Sequence, residues 1–429
     1  MSNTKTVMSQ AANTLAKPLE VEDVFSTYLY EGTGAAQTIT NGIDLDGEGG
    51  LVWIKDRSTT EQHVLTDTER GATKFIKTNS TAEELTNAQA LTSFNSNGFS
   101  IGNYADVNQN TDDFASWTFR KAPKFFTCVE YTGNSTEGRT VSHDLGSVPG
   151  MILVKCTSHS GDWSVYHRGL SSPATNRLQL NSTSAEVSGR WNSTLPTSTE
   201  FTLNDSLDVN GNGRTFVAYL FAHNDGDGGF NGGDIIKCGS YTGNGSSDGP
   251  EIDLGFEPQF VILKRSSASE DWLMFDNMRG MVVGGIDPDL RPAQSQAEGA
   301  FLNYLEPNAT GFKLIDPNNR SNASGSTYIY IAIRRGTKAP ESATEVFAID
   351  NQTASSAPFL TSNFPVDMVI RKRTTGGNSE VMSRLTQGKA LFANATSSEQ
   401  TDSVAQFDFN DGCLDNTSTD SSRYGWMWK

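Results

Sequence analysis

Apolar residues along this chain fall in short runs that are β-branched and aromatic, bounded by Gly, Asn, Asp, Ser or Pro. The pattern predicts strands. Helical spacing over a longer window is nearly absent after residue 25. The stretch "NSTAEELTNAQALTSF" from Asn79 is the best internal candidate for a short helix, and Val7, Ala11 and Leu15 sit at helical spacing ahead of Lys17-Pro18. In "TFVAYLFA", Phe216, Ala218 and Leu220 alternate with Val217, Tyr219 and Phe221, so both faces are apolar and both need cover.

The pattern repeats. Tyr30, Tyr131 and Tyr241 open similar phrases 101 and 110 residues apart, and Phe347 opens a fainter copy 106 residues further on. Each copy continues with an apolar run ending in a basic residue: "GLVWIK", "MILVK", "FVILK" and "MVIRK". Next comes a turn carrying Arg70, Arg168, Arg279 or Arg384, and each copy closes on an aromatic strand. These landmarks divide the chain into an N-terminal arm, 1–26, and four units, 27–125, 126–232, 233–343 and 344–429. Many short strands per unit predict an all-β fold of tandem, jelly-roll-like β-sandwich units of about 100 residues. The joint "KAPK" is short enough to predict a rigid rod or compact stack, whereas the Gly-rich "HNDGDGGFNGGD" reads as a hinge.

Charge narrows the function. Thirty-three basic against 50 acidic residues give a net charge of −17, which argues against nucleic-acid and anionic-membrane partners. No apolar run is long enough to span a bilayer, and the opening residues lack the apolar stretch of a secretory signal. Four cysteines do not make a disulfide framework and are expected as buried free thiols.

Catalytic motifs are not found: there is no nucleophile elbow, phosphate loop or HExxH, and five histidines are too few for four equivalent sites. Two acidic loops offer oxygens of the kind calcium takes, Asp225, Asp227, Asn231 and Asp234 in one, Asp44, Asp46 and Glu48 in the other. Neither has the full pattern, and Asp-Gly is also ordinary turn chemistry. The recurring Arg could grip a sugar hydroxyl or carboxylate, or tie a turn within its unit. Arg168 and Arg279 are the weak ligand candidates of this set. Trp163 and Trp272 read as packing residues, while Trp191 in "SGRWNSTLP" is the most loop-like tryptophan and the best placed to stack on a sugar ring.

The phrases "YTGNGSSDGPEIDLGFEPQFVILKRSSASEDWLMFDNMRG", "HDLGSVPGMILVK", "FVAYLFAHNDGDGGF" and "TYIYIAIRRG" resemble a repeated domain of unknown function from structural proteins of tailed bacteriophages, marine ones especially. The likeness covers about residues 28 to 343, and the last unit departs from it. It implies a virion location, a lectin-like or concanavalin A-like sandwich, and no catalytic residues. The leading expectation is therefore a non-enzymatic tail fibre or appendage touching the host surface. Its arm would join other virion proteins, its ligand would be a host surface glycan, and it would be a homo-oligomer, a trimer being common among such fibres. The alternative is a capsid-decorating or tail-body protein without a receptor role. A polysaccharide depolymerase would need an acidic pair in a groove, and the parallel β-helix usual for such enzymes does not fit repeats of this length.

Overall fold

The computed structural model describes residues 18–402, 406–414 and 419–429. The chain is almost entirely β, and every named strand pairing is antiparallel. Its α-helix among the described residues is confined to two four-residue turns, Ala105–Asn108 and Leu207–Asn210. No described helix is long and apolar enough to cross a membrane.

Four larger sheets share one strand order: opening strand, closing strand, apolar run, then the strand that leads into the turn. In the first these are Phe25–Glu31, Asp113–Arg120, Gly50–Asp56 and Val64–Asp67, extended by Lys74–Lys77 and Leu85–Thr86. The second has Phe126–Thr132, Thr215–Ala222, Pro149–Cys156 and Ser164–His167, and the third Ile236–Thr242, Thr327–Arg334, Pro258–Arg265 and Trp272–Asp276. The fourth has Phe347–Gln352, Asp420–Trp428, Met368–Arg373 and Ser379–Ser383, extended by Lys389–Phe392 and Gln400–Thr401. Each opening strand therefore pairs with the closing strand of its own sheet. The opening tyrosines mark that pairing: Tyr30 stacks on Phe114, Tyr131 on Phe216 and Tyr241 on Tyr328, at 5.1, 5.2 and 5.1 Å.

Both faces of the first three sheets are buried, for two different reasons. In the first sheet, Val52, Ile54 and Phe114 point toward a smaller sheet carrying Ile39, Phe99 and Ile101. The alternate residues, Phe25, Leu51, Trp53, Trp117 and Phe119, enter a core shared with the second and third sheets. There Phe119 meets Phe25 at 5.0 Å, Phe221 at 5.4 Å and Phe260 at 6.1 Å, so three sheets contribute to one aromatic centre. The fourth sheet has a core of its own, built on Leu360, Val369 and Met427.

Several expectations are corrected. A rod is excluded, because the first three sheets converge on one centre. The "KAPK" joint folds back on itself: Ala122 and Phe126 exchange backbone hydrogen bonds of 2.9 and 3.2 Å, with Lys124 at φ 62°. The expected hinge is a packed loop. Asn224 Oδ1 accepts from the backbone N–H groups of Ile235 and Ile236, and Phe230 is buried against Phe125. The expected arm enters the core before residue 26, since Val21, Val24 and Phe25 are buried there and Asn231 donates through its N–H to the Leu19 carbonyl. The helical spacing at Val7, Ala11 and Leu15 lies outside the described residues. No helix forms over Asn79–Phe94. Strands Leu85–Thr86 and Leu91–Asn95 occupy that stretch, because pairing with neighbouring strands outweighs local propensity.

Candidate functional site

The recurring arginines were the strongest positional signal, and two of them are built alike. Asp67 ends its strand, and three residues later Arg70 Nε reaches Asp67 Oδ2 at 2.6 Å, while the Arg70 backbone N–H donates to Oδ1 at 3.0 Å and Nη2 donates to the Leu65 carbonyl. Arg279 repeats this on Asp276 at 2.6 and 2.9 Å, with Nη2 on the Met274 carbonyl. Both pairs are fully buried. Burial pulls against the charge of each arginine, and the adjoining carboxylates more than restore it, so both pKa values lie above the ordinary range.

The second unit departs from this design. His167 stands where Asp would, the arginine follows it directly instead of three residues on, and Arg168 is exposed. His167 Nδ1 accepts the Gly169 backbone N–H at 3.0 Å, so Nε2 carries the proton and donates to the Tyr330 carbonyl at 3.0 Å. Burial pushes its pKa down to about 3, which keeps the ring neutral and fixes that tautomer.

Each of these three stations reaches into another unit, and the direction closes on itself. Asp67 of the first accepts from the Tyr219 hydroxyl of the second, at 2.7 Å. His167 of the second meets Tyr330 of the third. Asp276 of the third accepts from Trp117 Nε1 of the first, at 3.0 Å.

A second set of contacts runs the same way round. The backbone N–H groups of Glu84, Glu186 and Glu298 donate to the carbonyls of Thr157, Ser266 and Arg57, at 2.8, 2.8 and 2.9 Å. A third set runs through Trp163 Nε1 to the Lys77 carbonyl and Trp272 Nε1 to the Gln179 carbonyl, both at 3.0 Å. These contacts define a closed ring of three units within one chain.

Lys55, Lys155 and Lys264 end the three apolar runs and are all fully buried. Lys155 Nζ donates to the Thr81 carbonyl of the preceding unit at 3.2 Å, and Lys264 Nζ to the Thr183 carbonyl of its own predecessor at 3.1 Å. Lys55 stays within its unit, on the Asp56 and Thr59 carbonyls. Burial pushes each amine down to about 8, and nearby carboxylates offset part of that shift.

The remaining candidates are not gathered into a site. Trp191 is buried, edge-on to Tyr166 at 5.8 Å, because left-handed backbone at Arg190, Asn192 and Ser193 (φ 101°, 48° and 52°) turns it inward. It cannot stack on a sugar there. Arg279 is equally inaccessible, and Arg168 alone of the three faces solvent. In the first acidic loop, Asp234 is engaged by the N–H groups of Gly226 and Gly228 and by Lys237, while Asn231 donates to Glu20. In the second, Asp44 accepts from the Gly47 N–H. Among the described residues no three His, Cys, Asp or Glu side chains cluster as metal ligands, and the four cysteines are buried free thiols.

A crevice of about 500 Å³ lies between the opening strand of the first unit and the fourth, lined by Tyr28, Tyr30, Gln37, Arg57, Asp408 and Asn410. None of Arg168, Trp191 or Arg279 borders it. The lysines were read only as the ends of the apolar runs, and the inter-unit glutamates were missed, although a signal existed: Glu84, Glu186 and Glu298 recur in "STAEEL", "TSAEV" and "QAEG" at nearly the repeat interval.

Fold and contacts together define an all-β repeat protein whose recurring residues fasten one unit to the next. The chain belongs to the family described as a domain of unknown function (DUF7483), whose model matches residues 20–335, the span of the three-unit ring. No curated protein matches the sequence. Among solved structures, one described as "Crystal Structure of the STIV MCP" is 11% identical, covering 49% of this chain and 95% of that one. Its TM-score of 0.17 is too low to bear on fold or function.

Proposed function

We propose that this chain is a non-enzymatic structural component of a bacteriophage particle, acting as a shell-decorating or tail-body protein without a receptor role. Its units are β-sandwiches of the jelly-roll or concanavalin A-like kind, and its working location is the virion, assembled in the host cytoplasm. The observation that carries the reading is how the recurring polar residues are used. Asp67, Arg70, Asp276, Arg279 and the three lysines are spent on internal fastening, with no oxygen or nitrogen turned toward a ligand-sized cleft. A tail fibre gripping a glycan would need such residues at its surface, and Trp191 and Arg279 are both buried. The phage particle itself comes into the reading through the resemblance of the repeated phrases.

The test is to label purified virions with an antibody against the third and fourth units and locate it by electron microscopy. Label over the head or along the tail barrel is the expected result. Label at the tips of tail appendages, with adsorption blocked by the antibody, would replace this reading with the tail-fibre one.

A further inference from the structure

The fourth sheet keeps the ring's register but not its partners. In the first sheet the row Phe25, Phe119, Leu51 and the row Thr27, Trp117, Trp53 face the ring centre. The matching rows of the fourth sheet are Phe347, Trp428, Met368 and Ile349, Trp426, Ile370. The correspondence continues outward through paired strands: Leu65 and Ile76 in the first sheet, Val381 and Leu391 in the fourth.

Burial is reversed between the two. Leu65 and Ile76 are fully buried, whereas Leu391 is 49% and Ile349 56% exposed, and the other rows of the fourth face are partly exposed. The polar contacts that attach the fourth unit to the ring run through Asp367, Leu385, Asp408 and Asn410, none of them on this face.

The occupant is indicated by the molecule itself. In three sister units this face is covered by the two other sisters, closed by the backbone bond from a Glu N–H to a carbonyl two residues beyond the apolar-run lysine. The fourth unit carries both halves of that fastener at its surface: Glu399 stands at the Glu84 position beside Lys389, as Glu84 stands beside Lys74, and Thr374 stands two residues beyond Lys372.

We propose that this face is a homotrimer interface, through which three copies of the chain close their fourth units into a ring built like the one their first three units form. A heterologous contact that already closes at three within one chain closes at three between chains. Ser383 stands where the ring stations carry Asp67, His167 and Asp276, so the intermolecular ring lacks their buried polar contacts, and as an association between chains its assembly depends on concentration. The inference goes beyond the function proposed above and does not depend on where in a particle the protein works.

Sedimentation velocity of the full chain is expected to show a species of three chains at high micromolar concentration. The doubly substituted chain Ile349→Lys/Leu391→Lys, changed at exposed positions, should sediment as one chain with an unchanged melting curve. Introducing Thr374→Cys with Glu399→Cys should yield a three-chain disulfide-linked species on oxidation. A wild-type chain that stays single or stops at two at every concentration overturns the proposal. So does a trimer that persists in the doubly substituted chain or forms no cross-link. Trimerisation that appears only after residues 1–17 are removed also overturns it, since that segment would then be the face's occupant.

Discussion

Phe119 and Trp428 hold the same position in their sheets, each paired between the opening strand and the apolar run. Phe119 is walled in by Phe25, Phe126, Phe221 and Phe260, rings from three units, whereas Trp428 packs beside Phe347 of its own sheet, at 5.2 Å. An identical local pattern thus produces a core in one place and a surface in another. What differs is the neighbour. Sheets with two apolar faces are incomplete alone, and the ring completes three of them with one another.

The largest expected effect sets these two positions against each other. Phe119→Ala should cost about 3–5 kcal/mol by emptying a site bounded on all sides, and Trp428→Ala less than about half of that, measured by chemical denaturation. Equal losses would break the comparison.

Next come the stations. Asp276→Ala leaves the buried Arg279 guanidinium with Glu298 as its remaining carboxylate and Trp117 Nε1 without its acceptor, and should cost about 3–5 kcal/mol, while Arg168→Ala, at the exposed equivalent, should stay within about 0.5 kcal/mol in thermal melting.

The three buried lysines predict a pH effect. Their folded pKa values near 8 lie below the ordinary 10.5, so between those values the unfolded chain binds more protons and stability rises with pH. Melting temperature should climb from pH 8 toward about 9, where the thiols of Cys128, Cys238 and Cys413, raised by burial, begin to pull the other way, joined near about 10 by buried tyrosines such as Tyr131. Lys155→Met should flatten that climb; an unaltered slope would remove the lysines as its cause.

The smallest effect belongs to the joint with the fourth unit, held by Arg335–Asp367 and Arg57–Asp408. Added salt should weaken it by less than about 1 kcal/mol, seen as faster proteolysis of the 336–346 link with the ring's melting unchanged.

The period, the succession of strand phrases along the chain and the two-faced apolar strands were legible, because each is written within one repeat; which strand pairs with which was not. Ring closure was not. Its contacts join residues such as Trp117 and Asp276, 159 positions apart, and the three stations use different chemistry: a carboxylate with a phenol, an imidazole with a carbonyl, a carboxylate with an indole. No common motif marks them. Trp191 misled for a local reason: Ser, Gly and Asn around it signal an exposed loop, and the same residues permit the left-handed turn that buries it.

Short links between the three ring units change how such an assembly forms. Separate chains would have to find one another, so dilution would empty the ring and unequal synthesis would leave halves. Here each neighbour is already tethered within reach at a high effective concentration, and closure is a unimolecular event. A single newly made molecule can finish its ring before it meets any other, at whatever abundance the cell supplies.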